Sequence, residues 1–87
     1  MNVQIHLLGQ SGKFSRKYLT PTFSTFVTMK HLRSWCARNI PKINVTNEMF
    51  LDGNDGTFIK LRPTDPFFIR GAYILTIGII RMLIIVP

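Results

Sequence analysis

Two histidines, one cysteine and four acids are the groups in this 87-residue chain that could carry acid-base, nucleophilic or metal chemistry. His6 lies in a segment of alternating polarity and His31 in one of helical spacing. No serine or cysteine falls beside either at short range, so a nucleophile and base pair is not expected. Cys36 lies on the apolar side of the helical pattern, where a thiol behaves as a small buried hydrophobe. As a single cysteine it forms no intramolecular disulfide, which favours a reducing compartment. Of the four acids, three sit in turns or loops, too few and too dispersed for a carboxylate pair or a hard-metal site. Gly9-Gln10-Ser11-Gly12-Lys13 has glycines and a lysine but lacks the spacing of a phosphate loop and opens no helix. The chain is therefore expected to be non-enzymatic, with no cofactor and no metal.

What remains is surface chemistry. Eleven Lys and Arg against four acids give a net charge of +7, an excess that favours nucleic acid, acidic protein or anionic lipid. The cations are scattered, with no run longer than Arg16-Lys17. Arg16, Lys17, Lys30, Arg33 and Arg38 are the candidates for phosphate contacts, with Tyr18 or Trp35 available to stack on a base. That reading needs the basic side of the helix to lie beside the second strand.

These groups need elements to hold them. Val3, Ile5 and Leu7 alternate with Asn2, Gln4 and His6, the period of a strand with one buried face. The glycine cluster after it turns the chain into a second strand from Lys13 to Leu19. Ser24 or Thr25 can cap a helix running from Phe26 to Asn39, with Phe26, Met29, Leu32 and Cys36 inward and Arg38 near the carboxyl end. Glu48 to Leu51 reads as a short strand, Asp52-Gly53-Asn54-Asp55-Gly56 as a turn, and Thr57 to Leu61 as its returning strand. A proline-pinned loop follows, and Gly71 opens one long last strand. The segment from Ala72 to Pro87 is apolar apart from Arg81. It falls short of the roughly 20 residues that span a bilayer, so a membrane partner is not expected.

This order resembles the ubiquitin-like, β-grasp family over residues 2–81. The resemblance rests on the glycine turn after the first strand, the helix opening Phe26-Val27 with Pro41 after it, Met49-Phe50-Leu51-Asp52-Gly53, Leu61-Arg62-Pro63 and Gly71-Ala72-Tyr73-Ile74-Leu75. It implies an α+β fold, a mixed sheet of four to five strands packed on one helix over residues 1–81; residues 82–87 then read as an apolar C-terminal tail or an extension of the last strand. The chain ends in Met82-Leu83-Ile84-Ile85-Val86-Pro87, not in a diglycine, so a conjugated modifier is not expected. The resemblance implies instead an adaptor that binds a protein partner, or itself as a homodimer, through the exposed sheet face and the C-terminal strand. Phe50, Met49, Ile77 and Ile79 are the candidate contact residues, with one residue of register deciding whether Phe50 or Met49 faces out. RNA or DNA binding is the alternative, and a cytoplasmic or nuclear location is expected because no secretion signal is evident.

Overall fold

The computed structural model describes residues 1–9, 13–19 and 26–87, with the side chains of residues 14–17 and 19 outside the description. The elements run β1 (Gln4–Leu8), β2 (Phe14–Leu19), α1 (Met29–Asn39), β3 (Met49–Asp52), β4 (Phe58–Leu61), β5 (Gly71–Ile77) and β6 (Ile80–Val86). The strands form one sheet in the order β2-β1-β6-β5-β3-β4, and each described pair is antiparallel.

The expected mixed sheet of four to five strands is thus a six-stranded antiparallel one, and the reason lies at one residue. Thr76-Ile77-Gly78-Ile79-Ile80 is a hairpin, with Gly78 at φ +61. A Cβ on Gly78 would stand 2.9 Å from the Asn47 side chain, so the turn needs glycine for both its dihedral and its space. The long last strand read from composition is therefore two strands, and β6 returns to pair with β1. β1 and β5 run in the same direction but are held apart by β6. Of the two readings of residues 82–87, strand extension and free tail, residues 82–86 follow the first. They lie in a central strand, with Met82 and Ile84 fully buried and Val86 nearly so.

The helix packs on one face of this sheet. Met29, Leu32 and Cys36 meet Ile5, Met49, Leu75, Ile77, Met82 and Ile84 in a single core. Truncating Leu32, which has no exposed surface, to alanine removes packed methyl groups and costs about 2–5 kcal/mol. The helix begins at Met29, later than the expected Phe26, while Ser24 and Thr25 lie outside the described residues. Its first amides are taken by a neighbouring loop: the Met29 N–H donates to the Asp65 carbonyl (2.9 Å) and the Lys30 N–H to the Pro63 carbonyl (3.0 Å). The Thr28 N–H donates to His31 Nδ1 (3.1 Å), which fixes that ring at the first turn. Phe26 still joins the core, from the extended approach to the helix.

An aromatic cluster seals the flank of the helix. Trp35 meets Tyr18 and Phe26 edge to face, with ring centroids 6.3 and 6.5 Å apart, and Phe26 packs on Phe67 at 5.1 Å. Phe68 stacks on Tyr73 at 4.2 Å, and the Tyr73 hydroxyl donates to the Ile69 carbonyl (3.0 Å). Among the described residues no helix is long and apolar enough to cross a membrane.

Candidate functional site

Because strand side chains alternate, the face opposite the helix is fixed by the residues already in the core. On β5, Leu75 and Ile77 point inward, which turns Ala72, Ile74 and Thr76 outward; on β6, Met82, Ile84 and Val86 point inward, which turns Arg81, Leu83 and Ile85 outward. The cross-strand pairs Ala72 with Ile85, Ile74 with Leu83 and Thr76 with Arg81 confirm that these six share one face. Phe50 joins them opposite Thr76, and Lys60 sits opposite Phe50 on β4. Among the described residues no second layer buries them: Ile74, Leu83, Ile85 and Phe50 are half-buried, Ala72 is exposed, and Phe58 is 64% exposed. An antiparallel strand with one face to water normally places polar side chains on that face. The two central strands here place aliphatic ones there.

Within this face, Phe50, Phe58 and Thr76 line a shallow, almost wholly apolar hollow of about 320 Å³. Its border is polar but internally neutralised. The Arg81 guanidinium pairs with the Asp52 carboxylate across β5, and Lys60 pairs with Glu48 at 3.0 Å. His6 Nε2 lies 3.1 Å from Gln4 Oε1 on the neighbouring strand β1.

A wider, open groove of about 1010 Å³ lies where β5 runs on past β3 and the β3–β4 turn, and Asp52 and Asp55 line it with Ala72 and Ile74. Asp52 Oδ1 is buried without a hydrogen-bond partner among the described residues, while the other Asp52 oxygen and Asp55 Oδ1 meet the protein's own groups. Asp55 accepts from the Thr57 hydroxyl (2.6 Å), which holds its carboxyl below the usual range, and Asp52 is tied to Arg81. Cys36 is buried and free, and desolvation pushes its thiol up to about 12, far from the value a nucleophile needs.

The residues singled out from sequence separate clearly. Phe50 lies on the outer face, and Ile79 stands 81% exposed at the tip of the β5–β6 hairpin. Met49 and Ile77 do not reach the surface. They pair with each other across β3 and β5 at 1% and 0% exposure, and it is their neighbours Phe50 and Thr76 that face outward. Ile74, Leu83, Ile85 and Phe58 were missed. Reading one strand through Gly78 hid that each half has its own outward face, although the alternation itself is present in the sequence. Three of the five candidate cations have described side chains, and the Tyr18–Trp35 contact brings the helix beside β2. Lys30 and Arg38 are exposed on the helix, Arg33 donates to the Asn47 carbonyl (3.0 Å), and the side chains of Arg16 and Lys17 lie outside the described residues. Trp35 and Tyr18, offered as stacking platforms, are half-buried and packed against one another.

No protein-family model matches the sequence, and neither a curated protein nor a solved structure matches it significantly.

Proposed function

We propose that this chain is a non-enzymatic protein-interaction domain, an adaptor that docks an apolar protein surface on the outer face of its sheet. The observation that carries this reading is the row of aliphatic side chains on the uncovered side of β5 and β6, bordered by Phe50 and the exposed Phe58. Burying apolar area is the main driving force of protein association, and aromatic anchors in shallow hollows supply much of it. A ubiquitin-like layout supports the same reading in altered form. A β-hairpin, a crossing helix, a second hairpin and a returning strand follow one another, β1 and β5 run in one direction, and β6 is an added strand between them.

Nucleic-acid binding is the weaker reading, because Arg33, Lys60, Arg62 and Arg81 are each engaged with protein oxygens. The two readings separate by salt and by mutation. The apolar dye anilinonaphthalene sulfonate is expected to bind the folded protein, hardly respond to salt and lose most of its binding in Ile74→Lys. Tight, steeply salt-dependent binding of a single-stranded oligonucleotide, lost on Lys30→Ala with Arg38→Ala and kept in Ile74→Lys, would favour the nucleic acid instead.

A further inference from the structure

We infer that the occupant of the outer sheet face is a second copy of this chain, docked face to face as the other half of a two-sheet sandwich. This rests on the reading of that face as a docking surface and goes further by naming the partner. Charge distribution carries it. Among the described side chains, Lys60 on β4 and Arg81 on β6 are closed into pairs with Glu48 and Asp52, and the Asp55 carboxylate at the border accepts from the Thr57 hydroxyl. The exposed helix cations Lys30 and Arg38 lie on the far side of the sheet. A chain with a net charge of +7 thus presents a locally neutralised apolar face and carries helix cations behind it.

Two copies meeting through this face would meet little like-charge repulsion. Packed sheets stand about 10 Å apart and each helix lies about 10 Å further out, so the helices would be roughly 30 Å apart, several times the Debye length of about 8 Å. A polyanion or an anionic bilayer asks for the opposite, cations on the contact face itself. The dimensions also fit. Strands β6, β5 and β3 carry the apolar residues and β1 flanks them with Gln4 and His6; at about 4.8 Å spacing and up to seven residues long, the four strands make a patch roughly 20 Å on a side. With side-chain relief this approaches the roughly 600 Å² per partner at the lower end of stable interfaces. In such a two-fold pair the hollow beside Phe50 and Phe58 would take an aliphatic side chain from the other copy, and the reverse.

Sedimentation equilibrium over a range spanning micromolar concentrations tests this. The expected result is a dimer whose midpoint hardly moves with salt, at least tenfold weakened in Ile74→Lys and in Ala72→Arg, and unchanged in Val27→Lys at an exposed site away from the face. Ala72 is already exposed, so its variant reports even where the other fails to fold. A protein that stays monomeric throughout, or a dimer indifferent to both outer-face variants, overturns the inference. Dye binding tells the two failures apart. A monomer whose dye binding is lost in Ala72→Arg keeps the docking face and loses only the second copy, whereas a monomer with no such dye binding loses both.

Discussion

At the scale of single residues, burial decides which groups are chemically available. Cys36 has no exposed surface, and burial raises its thiol from 9.0 to about 12. The folded protein is expected to resist Ellman's reagent at mildly alkaline pH and to react fully once unfolded in guanidinium. The same shift has a stability consequence. A thiol that holds its proton more tightly when folded leaves stability intact below its unfolded value and erodes it above. Between about 9 and 12 that contribution falls by about 1.4 kcal/mol per pH unit. Guanidinium titrations at stepped pH should show a shallower alkaline decline in Cys36→Ala than in the parent, and equal slopes would contradict this burial. Asp65 acts in the opposite sense. Its hydrogen bonds from the Arg62 N–H (2.7 Å) and guanidinium (3.0 Å) hold its carboxyl below the usual range. Stability from this contact is present above the ordinary aspartate range and is lost as pH falls below it through the carboxyl's lowered value. Asp65→Asn should lower the melting temperature at neutral pH and flatten its acid dependence. At this scale the sequence was informative about what is absent from the surface, such as the thiol. It left Met49 and Phe50 undecided, because two adjacent apolar residues on a short strand fit either face until a neighbouring strand sets the register.

At the scale of elements, the β5–β6 hairpin decides the architecture. β5 and β6 each have seven residues, and both occupy the interior of the sheet. Gly78→Val should cost about 2 kcal/mol or more, since a branched side chain at φ +61 is strained and its Cβ would press on Asn47. Chemical denaturation checks the magnitude, and a neutral substitution would argue against the turn. Removing residues 82–87 takes away most of β6 and should abolish cooperative unfolding, a loss of fold visible by circular dichroism, whereas a dispensable tail would leave the transition in place. Alternation in β1 and the apolar spacing of the helix were legible, because each is a local period. The hairpin was not. Gly78 stands between isoleucines on both sides, and an isolated glycine in an apolar run marks a turn only when the returning strand has a partner, here β1 at the other end of the chain. The helix start was equally non-local, since its first amides are satisfied by carbonyls of Pro63 and Asp65, far along the chain.

At the scale of the whole molecule, the central strands β5 and β6 carry aliphatic side chains on both sides, and among the described residues a helix covers only one of them. The inner side is closed by Met29, Leu32 and Cys36, and the outer side carries Ile74, Leu83 and Ile85 to solvent. Paired substitutions to lysine should separate the two: Ile84→Lys, buried at 0% exposure, unfolds the protein, and Ile85→Lys beside it leaves the fold intact and removes association. Composition alone pointed to an excess of cations and an apolar C-terminal segment, but not to the pairing of Arg81 with Asp52 on the outer face or to the exposure of Lys30 and Arg38 on the helix behind it. The most direct measurement is methyl NMR of a dilute sample with a soluble paramagnetic chelate. The methyl signals of Ile74, Leu83 and Ile85 should broaden strongly, while those of Leu75, Ile77 and Ile84 stay sharp. Equal protection of both sets in the dilute monomer would mean that the chain covers its own outer face, and the docking surface would not exist.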